Sequence, residues 1–321
     1  MTGAVRNLGL AVGLGEQILP AILAQPLVQL VREFELNVSS FQIKPGASFR
    51  KVAFLLGFAG VPGLKEMGLK PSLAVTVSSI ASSVHSIRAR EQAAAWGLPY
   101  LERRRNASLP QEADALLVLG GDGWTLRNPN GVLRFSPGMA QLRIQRIDQG
   151  FSEDMLIRVA ELRSGDEVLD CTMGLGADAL VCARAVGPTG KVVALEKSLA
   201  LYALAVESLQ KPYAEGFAPI EVRHADSARV LEEMPAKSFD VVLFDPMFGR
   251  PNKSSQAFEM LRHFADPGGL TAQMLSDARR AARRWVVVKG SRYSKDFKKL
   301  GLVAEQRSLS RGVLWARVPA E

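Results

Sequence analysis

The sequence predicts an α/β protein: a mostly parallel sheet with helices on both faces, preceded by a smaller α/β unit. Three observations carry that prediction. After Ser164-Gly165 the chain alternates short β-branched runs with helical segments five times. Those runs are almost continuously apolar, as parallel strands buried on both faces are, rather than alternating as in a half-exposed sheet. One of them, Val168-Leu169-Asp170, ends in an acid and leads into Cys171-Thr172-Met173-Gly174-Leu175-Gly176. An acid followed by glycines at a strand end lets backbone N–H groups approach a ligand.

In chain order, residues 1–71 carry Gly and Pro at short intervals around two amphipathic runs, 18–34 and 49–58. They form an N-terminal extension without recognisable chemistry. A small α/β subdomain is predicted over residues 72–150. Leu73–Val77 is its first strand, and a serine cluster leads into a helix over 84–96 that Gly97 and Pro99 stop. Residues 113–119 read as a buried strand. Residues 124–126 and 132–135 flank Asn128-Pro129-Asn130-Gly131 as a hairpin. Between 139 and 162, Leu142, Ile144, Ile147, Met155, Ile157 and Val159 fall at helical spacing with a break at Gly150, so two helices bridge to the main sheet. The main domain, 151–321, holds strands at 168–171, 192–195, 221–224, 241–244 and 285–289, with a helix over 178–185 opening from the glycine loop. Arg279, Arg280, Arg283 and Arg284 are expected on one helix, as a solvated or nucleic-acid-binding face.

With 321 residues, 47% of them hydrophobic, the chain can bury a large core and a smaller second one. Forty Lys and Arg against 32 Asp and Glu give a formal charge of +8, which favours an anionic partner. Cys171 and Cys182 are its two cysteines, so a disulfide framework is not expected and a reducing, cytoplasmic setting is. His85, His224 and His263 match no zinc spacing, and no metal site is expected. Residues 8–31 are apolar, yet Glu16, Gln17, Gln25 and Gln29 interrupt them and Pro20 and Pro26 break them, so no membrane span is expected.

Three strand ends carry acids. Asp170 opens the glycine loop. Glu196 follows it by twenty-six residues, where a carboxylate can accept hydrogen bonds from two ribose hydroxyls. Asp226, within His224-Ala225-Asp226-Ser227, can receive an exocyclic adenine amine. A dinucleotide loop would carry a third glycine where Ala179 stands, and a plain tight turn would look the same locally. The fourth strand closes on Asp245-Pro246-Met247-Phe248. There Asp245 and a neighbouring carbonyl can accept both N–H groups of a planar amine while Phe248 stacks on its ring. A rigid strand-to-loop turn with a core Phe is the other reading. Arg250, Lys253, Arg262, Lys289, Arg292, Lys295, Lys298 and Lys299 supply a basic rim of the kind phosphate contacts need. Gly120-Gly121-Asp122-Gly123 resembles a kinase nucleotide loop, but it leads into a hairpin instead of a helix.

On these residues the chain from about Ser72 to its end resembles the small-subunit ribosomal RNA guanine-N2 methyltransferase J family. Asp170-Cys171-Thr172-Met173-Gly174-Leu175-Gly176-Ala177-Asp178 is similar to that family's Asp-Ala-Thr-Ala-Gly-Leu-Gly-Arg-Asp loop. Asp245-Pro246-Met247-Phe248 coincides with its Asp-Pro-Met-Phe signature, and Val286-Val287-Val288-Lys289 with its fifth-strand motif. The resemblance implies a class I methyltransferase: a Rossmann-like, mostly parallel seven-stranded sheet with its last hairpin antiparallel. It implies S-adenosyl-L-methionine as donor and ribosomal RNA, or the small ribosomal subunit, as partner. By position it implies that Asp170, Gly174 and Gly176 border the methionine part of the donor, Glu196 its ribose and Asp226 its adenine, with Thr172 and Asp178 also in the cofactor site. Asp245, Pro246 and Phe248 then hold the target base, with Arg250, Lys253, Lys289 and Arg292 against RNA. Gly249 replaces the family's usual proline, and Gly290-Ser291 its Arg-Pro, both on the acceptor side. The rivals are an adenine-N6 or small-molecule amine methyltransferase, and a non-catalytic RNA-binding module on the same fold.

Overall fold

A computed structural model describes residues 73–150, 154–211, 214–246, 256–291, 295–304, 306–307 and 313–321. The expected N-terminal extension and its two amphipathic runs lie outside the described residues.

The first sheet has four strands in chain order: β1 (Leu73–Val77), β2 (Ala115–Gly120), β3 (Gly123–Asn128) and β4 (Gly131–Arg134). Between the parallel pair β1 and β2 runs α1 (Ser83–Ala95), capped by the Ser82 side chain. The other pairs are antiparallel. Gly120 faces Gly123 across the β2–β3 turn, so the kinase-like glycine run is a hairpin turn. The two bridging helices are α2 (Gly138–Asp148) and α3 (Met155–Ala160), and the Asp154 carboxylate caps α3 by accepting from Leu156 N–H at 2.9 Å.

The second sheet has seven strands in the order β10-β11-β9-β8-β5-β6-β7. Five are parallel: β5 (Glu167–Asp170), β6 (Lys191–Glu196), β7 (Ile220–His224), β8 (Phe239–Phe244) and β9 (Ala282–Ser291). β11 (Val313–Pro319) runs antiparallel to β9, and β10 (Gln306–Arg307) antiparallel to β11. This is the Rossmann-like sheet that the resemblance implied, closing hairpin included. Helices α4 (Ala177–Val186), α5 (Leu199–Leu209) and α6 (Ser227–Glu233) make the first three crossovers. α7 (Gln256–Phe264) and α8 (Ala272–Ala281) lie between β8 and β9, and α9 (Lys295–Lys299) follows β9.

The near-continuous apolar strands are sorted by the two-residue period of the pleat. Val168, Val192, Ala194, Val241, Leu243 and Val287 pack on one face, with Ile144 of α2, Leu156 of α3 and Leu180 of α4. Leu169, Val193, Leu195, Val242, Phe244 and Val286 pack on the other, with Leu231 of α6 and Ala278 of α8. Each such side chain taken out of water contributes roughly 1.5–3 kcal/mol, which is why both layers are needed to close the sheet. A third cluster joins the small sheet to α5: Leu117, Trp124 and Leu126 meet Leu201 and Leu204, and Trp124 Nε1 donates to Glu207 at 3.0 Å.

The arginine run departs from expectation. Arg279 and Arg280 end α8, but the chain turns extended at Ala282, so Arg283 and Arg284 belong to β9. Burial of both faces of the following Val-Val-Val run outweighs the helical spacing of the arginines. All four tether neighbouring segments: Arg283 pairs with Asp240 and Glu167, Arg284 with Asp166, while Arg279 donates to the Pro319 carbonyl and Arg280 to the Leu231 carbonyl. Gly290 has a packing cause. A Cβ there would lie 2.4 Å from the Phe297 ring of α9, so a larger residue would displace that helix.

Among the described residues no helix is long and apolar enough to cross a membrane.

Candidate functional site

The five parallel strands end at one edge, and strand order reverses between β5 and β8. Open α/β sheets hold ligands at such a switch point. Asp170 ends β5 there, 1% exposed, and its carboxylate accepts from Thr172 N–H at 3.0 Å. Burial pushes its carboxyl up to about 8, against that N–H. Gly174 and Gly176 then take left-handed backbone, at φ +57° and +78°, so the loop turns sharply into α4. Gly176 also backs onto α5, where a Cβ would come within 2.4 Å of Leu209 Cδ1. Gly176→Ala is therefore expected to lower stability by about 1–3 kcal/mol and to displace the loop. Thermal unfolding and amide hydrogen exchange across the loop would register both changes, and wild-type values in the two together would contradict the strain.

Glu196 ends β6 and holds this loop directly. Its Oε2 accepts from Gly174 N–H at 2.8 Å and its Oε1 from Ser198 N–H at 2.7 Å. Burial raises its carboxyl to about 7, while these N–H groups pull it back. Asp226 follows β7 as the N-cap of α6, accepting from Ala228 N–H at 3.1 Å. Its other oxygen pairs at 3.0 Å with Lys197, which also reaches Asp266 at 2.9 Å. Lys197 and Asp266 were not anticipated. Lys197 adjoins Glu196, a local hint, whereas Asp266 arrives from the loop after α7.

Asp245 is the first residue beyond β8. Its N–H donates to Thr172 Oγ1 at 2.6 Å, joining the acid that follows β8 to the glycine loop. Its Oδ2 accepts from Lys289 Nζ at 2.5 Å. Pro246 beside it is buried. Lys289 departs from the expected basic rim. It lies within β9, one residue past the Val288 that pairs with Phe244, so its ammonium falls between Asp245 and Asp178, 3.0 Å from the latter. Burial opposes the charge on Lys289, yet the two carboxylates hold its pKa above the ordinary lysine value. Asp178, in the first turn of α4, likewise sits in this cluster: Lys289 takes one of its oxygens and Arg143 of α2 the other. Burial would raise the Asp178 carboxyl, but the two cations hold it far below the usual range. Arg143 lies thirty-five residues from Asp178, and no local pattern marks it.

The structure thus gathers Asp170, Thr172, Gly174, Gly176, Asp178, Glu196, Asp245, Pro246 and Lys289 at the switch point and leaves Asp226 along the same edge. Phe248, Arg250, Lys253 and Arg292, with the Gly249 departure, lie outside the described residues.

A family model described as "Putative SAM-dependent methyltransferase" matches residues 94–308. The chain is 34% identical over 245 residues to "Uncharacterized protein YpiP" of Bacillus subtilis, covering 72% of this chain and 93% of that one. It is 30% identical over 213 residues to ribosomal RNA small subunit methyltransferase J of Dechloromonas aromatica, covering 61% of this chain and 86% of that one. The crystal structure of a SAM-dependent methyltransferase from Neisseria gonorrhoeae matches with a TM-score of 0.50 at 20% identity, over 77% of this chain and 95% of that one. The last is a likeness of fold.

Proposed function

The chain belongs to the SAM-dependent methyltransferase family, and on that premise we propose that it methylates an exocyclic amino group of a nucleobase, guanine N2 in small-subunit ribosomal RNA. The observation that carries the reading is the 2.6 Å hydrogen bond from Asp245 N–H to Thr172 Oγ1, which sets an amine-accepting carboxylate against the glycine loop. The formal charge of +8 and similarity to proteins named ribosomal RNA small subunit methyltransferase J support RNA as the acceptor.

The residues fit the donor. The Glu196 carboxylate accepts from the Gly174 and Ser198 N–H groups and, with about four lone-pair sites, can also accept from a ribose hydroxyl. The left-handed glycines remove side chains where backbone must approach, and Asp170 and Thr172 border the methionine part. Asp226 stands along the edge for the adenine. S-adenosylmethionine supplies an electrophilic sulfonium methyl.

Guanine N2 is a weak nucleophile, because its lone pair is delocalised into the ring. The protein therefore contributes alignment and desolvation more than base strength. Asp245 is an acceptor-only group while ionised, so it turns both N–H bonds of the amine toward itself and a neighbouring carbonyl, leaving the nitrogen lone pair facing the methyl. Phe248 stacks on the unstacked base, and Arg250, Lys253 and Arg292 meet phosphate. Lys289 keeps Asp245 ionised instead of touching RNA.

Comparing small-subunit ribosomal RNA from wild-type and deletion cells by mass spectrometry tests this. One guanine N2-methyl group is expected to vanish in the deletion and return with the gene. An unchanged nucleoside profile would move the acceptor elsewhere, to an adenine or a small-molecule amine.

A further inference from the structure

Five charged side chains form one continuous chain from the bridging helices to the acceptor acid. Asp154, the N-cap of α3, receives Arg143 through two hydrogen bonds, Nε to Oδ2 at 2.8 Å and Nη2 to Oδ1 at 2.9 Å. Arg143 Nη1 donates to Asp178 Oδ1, and Asp178 Oδ2 accepts from Lys289 Nζ at 3.0 Å. The same ammonium donates to Asp245 Oδ2 at 2.5 Å. The side chains are largely covered, at 10% exposure for Asp154, 23% for Arg143, 8% for Asp178 and 22% for Lys289.

We infer that Arg143, on a helix outside the catalytic sheet, is a positioning residue for methyl transfer, acting through Asp178 and Lys289 on the orientation of Asp245. The inference rests on the proposed role of Asp245. Lys289 is shared between two carboxylates, so its hold on Asp245 depends on how far Asp178 is already neutralised. Arg143 supplies that neutralisation through Nη1, and Asp154 fixes Arg143 by a two-point grip on the Nε and Nη2 edge of its planar fork. Without Arg143, Asp178 is a buried carboxylate with one cation; it draws Lys289 toward itself and repels Asp245. Asp245 Oδ2 is then no longer pinned, and the oxygen meant for the amine is free to swing. A helix that lies between the two sheets in the chain thereby becomes part of the transfer apparatus.

The groups that face Asp245 are Lys289 from β9, Asp178 from α4 and Asp170 from β5. Removing Arg143 leaves Asp178 less neutralised and adds no positive charge beside Asp245, so Asp245 ionises at higher pH.

The test is methyl transfer from labelled S-adenosylmethionine to small-subunit ribosomal RNA from deletion cells, beside calorimetry with S-adenosylhomocysteine. Arg143→Met is expected to lower kcat roughly 10- to 100-fold, with donor affinity and RNA KM within about twofold of wild type. The acid limb of its pH–rate profile should move to higher pH. Arg143→Lys, which restores a cation on Asp178, should recover most of kcat and return the limb. Should Arg143→Met fail to fold, Asp154→Asn keeps the helix cap while weakening the grip on Arg143, and should shift kcat and the limb the same way by a smaller amount. Wild-type kcat and pH profile in a folded variant would overturn the inference, as would kcat, donor affinity and melting temperature falling together without rescue by Lys. If Asp245→Ala is inactive and Arg143→Met unaffected, the relay alone fails; an active Asp245→Ala removes the reading beneath it.

Discussion

Asp245→Ala is expected to lower kcat by on the order of 10²- to 10³-fold, the usual loss when one preorganised hydrogen-bonding group is taken from a transition state. Donor affinity should stay within about twofold, because the backbone N–H of Asp245 that ties it to Thr172 of the glycine loop is retained in alanine. Losing the carboxylate leaves the amine without the acceptor that turns its lone pair toward the methyl. It also leaves Lys289 paired with Asp178, so the two remaining carboxylates of the cluster match its two cations and the fold should persist. Burial pushes the Asp245 carboxyl up to about 6, with Lys289 drawing it back and Asp178 opposing. Since the accepting form is the carboxylate, wild-type kcat should rise with pH through about 6 and then level off. Labelled-methyl transfer to small-subunit ribosomal RNA, with calorimetry for S-adenosylhomocysteine, measures both quantities. Turnover undiminished in the alanine variant would sink the clamp.

Glu196→Gln should weaken donor binding by about 10- to 100-fold, the worth of a charge-assisted hydrogen bond of roughly 1.5–3 kcal/mol. The amide is nearly isosteric, but its NH₂ must face a backbone N–H, either Gly174 or Ser198, where the carboxylate accepted both. The glycine loop loses an anchor and the ribose an acceptor in one change. The pH dependence separates these causes. The Glu196 carboxyl stands at about 7 in the free protein, raised chiefly by burial. Hydroxyl donors favour its ionised form, so the donor should release a proton on binding, and wild-type affinity should climb as pH passes through about 7. The amide does not titrate, and its variant should lose that slope. Calorimetry over this range gives affinity and proton release together, and a slope persisting in Glu196→Gln would assign it to another group.

Much of the fold was legible because burial of a parallel sheet leaves a strong trace: β-branched runs at 168, 192, 241 and 286, each separated by helical segments. The two-residue sorting of Val168 and Leu169 onto opposite faces follows from the pleat alone. The arginine run was misread for a physical reason. Spacing of charges is a local signal, whereas the Val286-Val287-Val288 segment enters β9 because strands β8 and β11 are there to receive it. At the site, Asp170, Gly174, Gly176, Glu196 and Asp245 were recognisable because each closes a strand or opens a turn. Arg143 was not, since nothing near it in the chain reveals that Asp178 needs a second cation.

The sequence by itself determined the strand-and-helix alternation, the acids at the strand ends, the glycines that need left-handed backbone and the absence of a disulfide framework. These are properties of short segments, set by periodicity and by backbone sterics within a few residues. Only the tertiary structure decided that Lys289 turns inward between Asp178 and Asp245, that Glu196 grips the glycine loop, and that a bridging helix brings Arg143 to Asp178. Those outcomes depend on which charges meet when separate strands and helices are brought together. A buried charge is held where its partner is, and the partners here lie from 22 to 111 residues away.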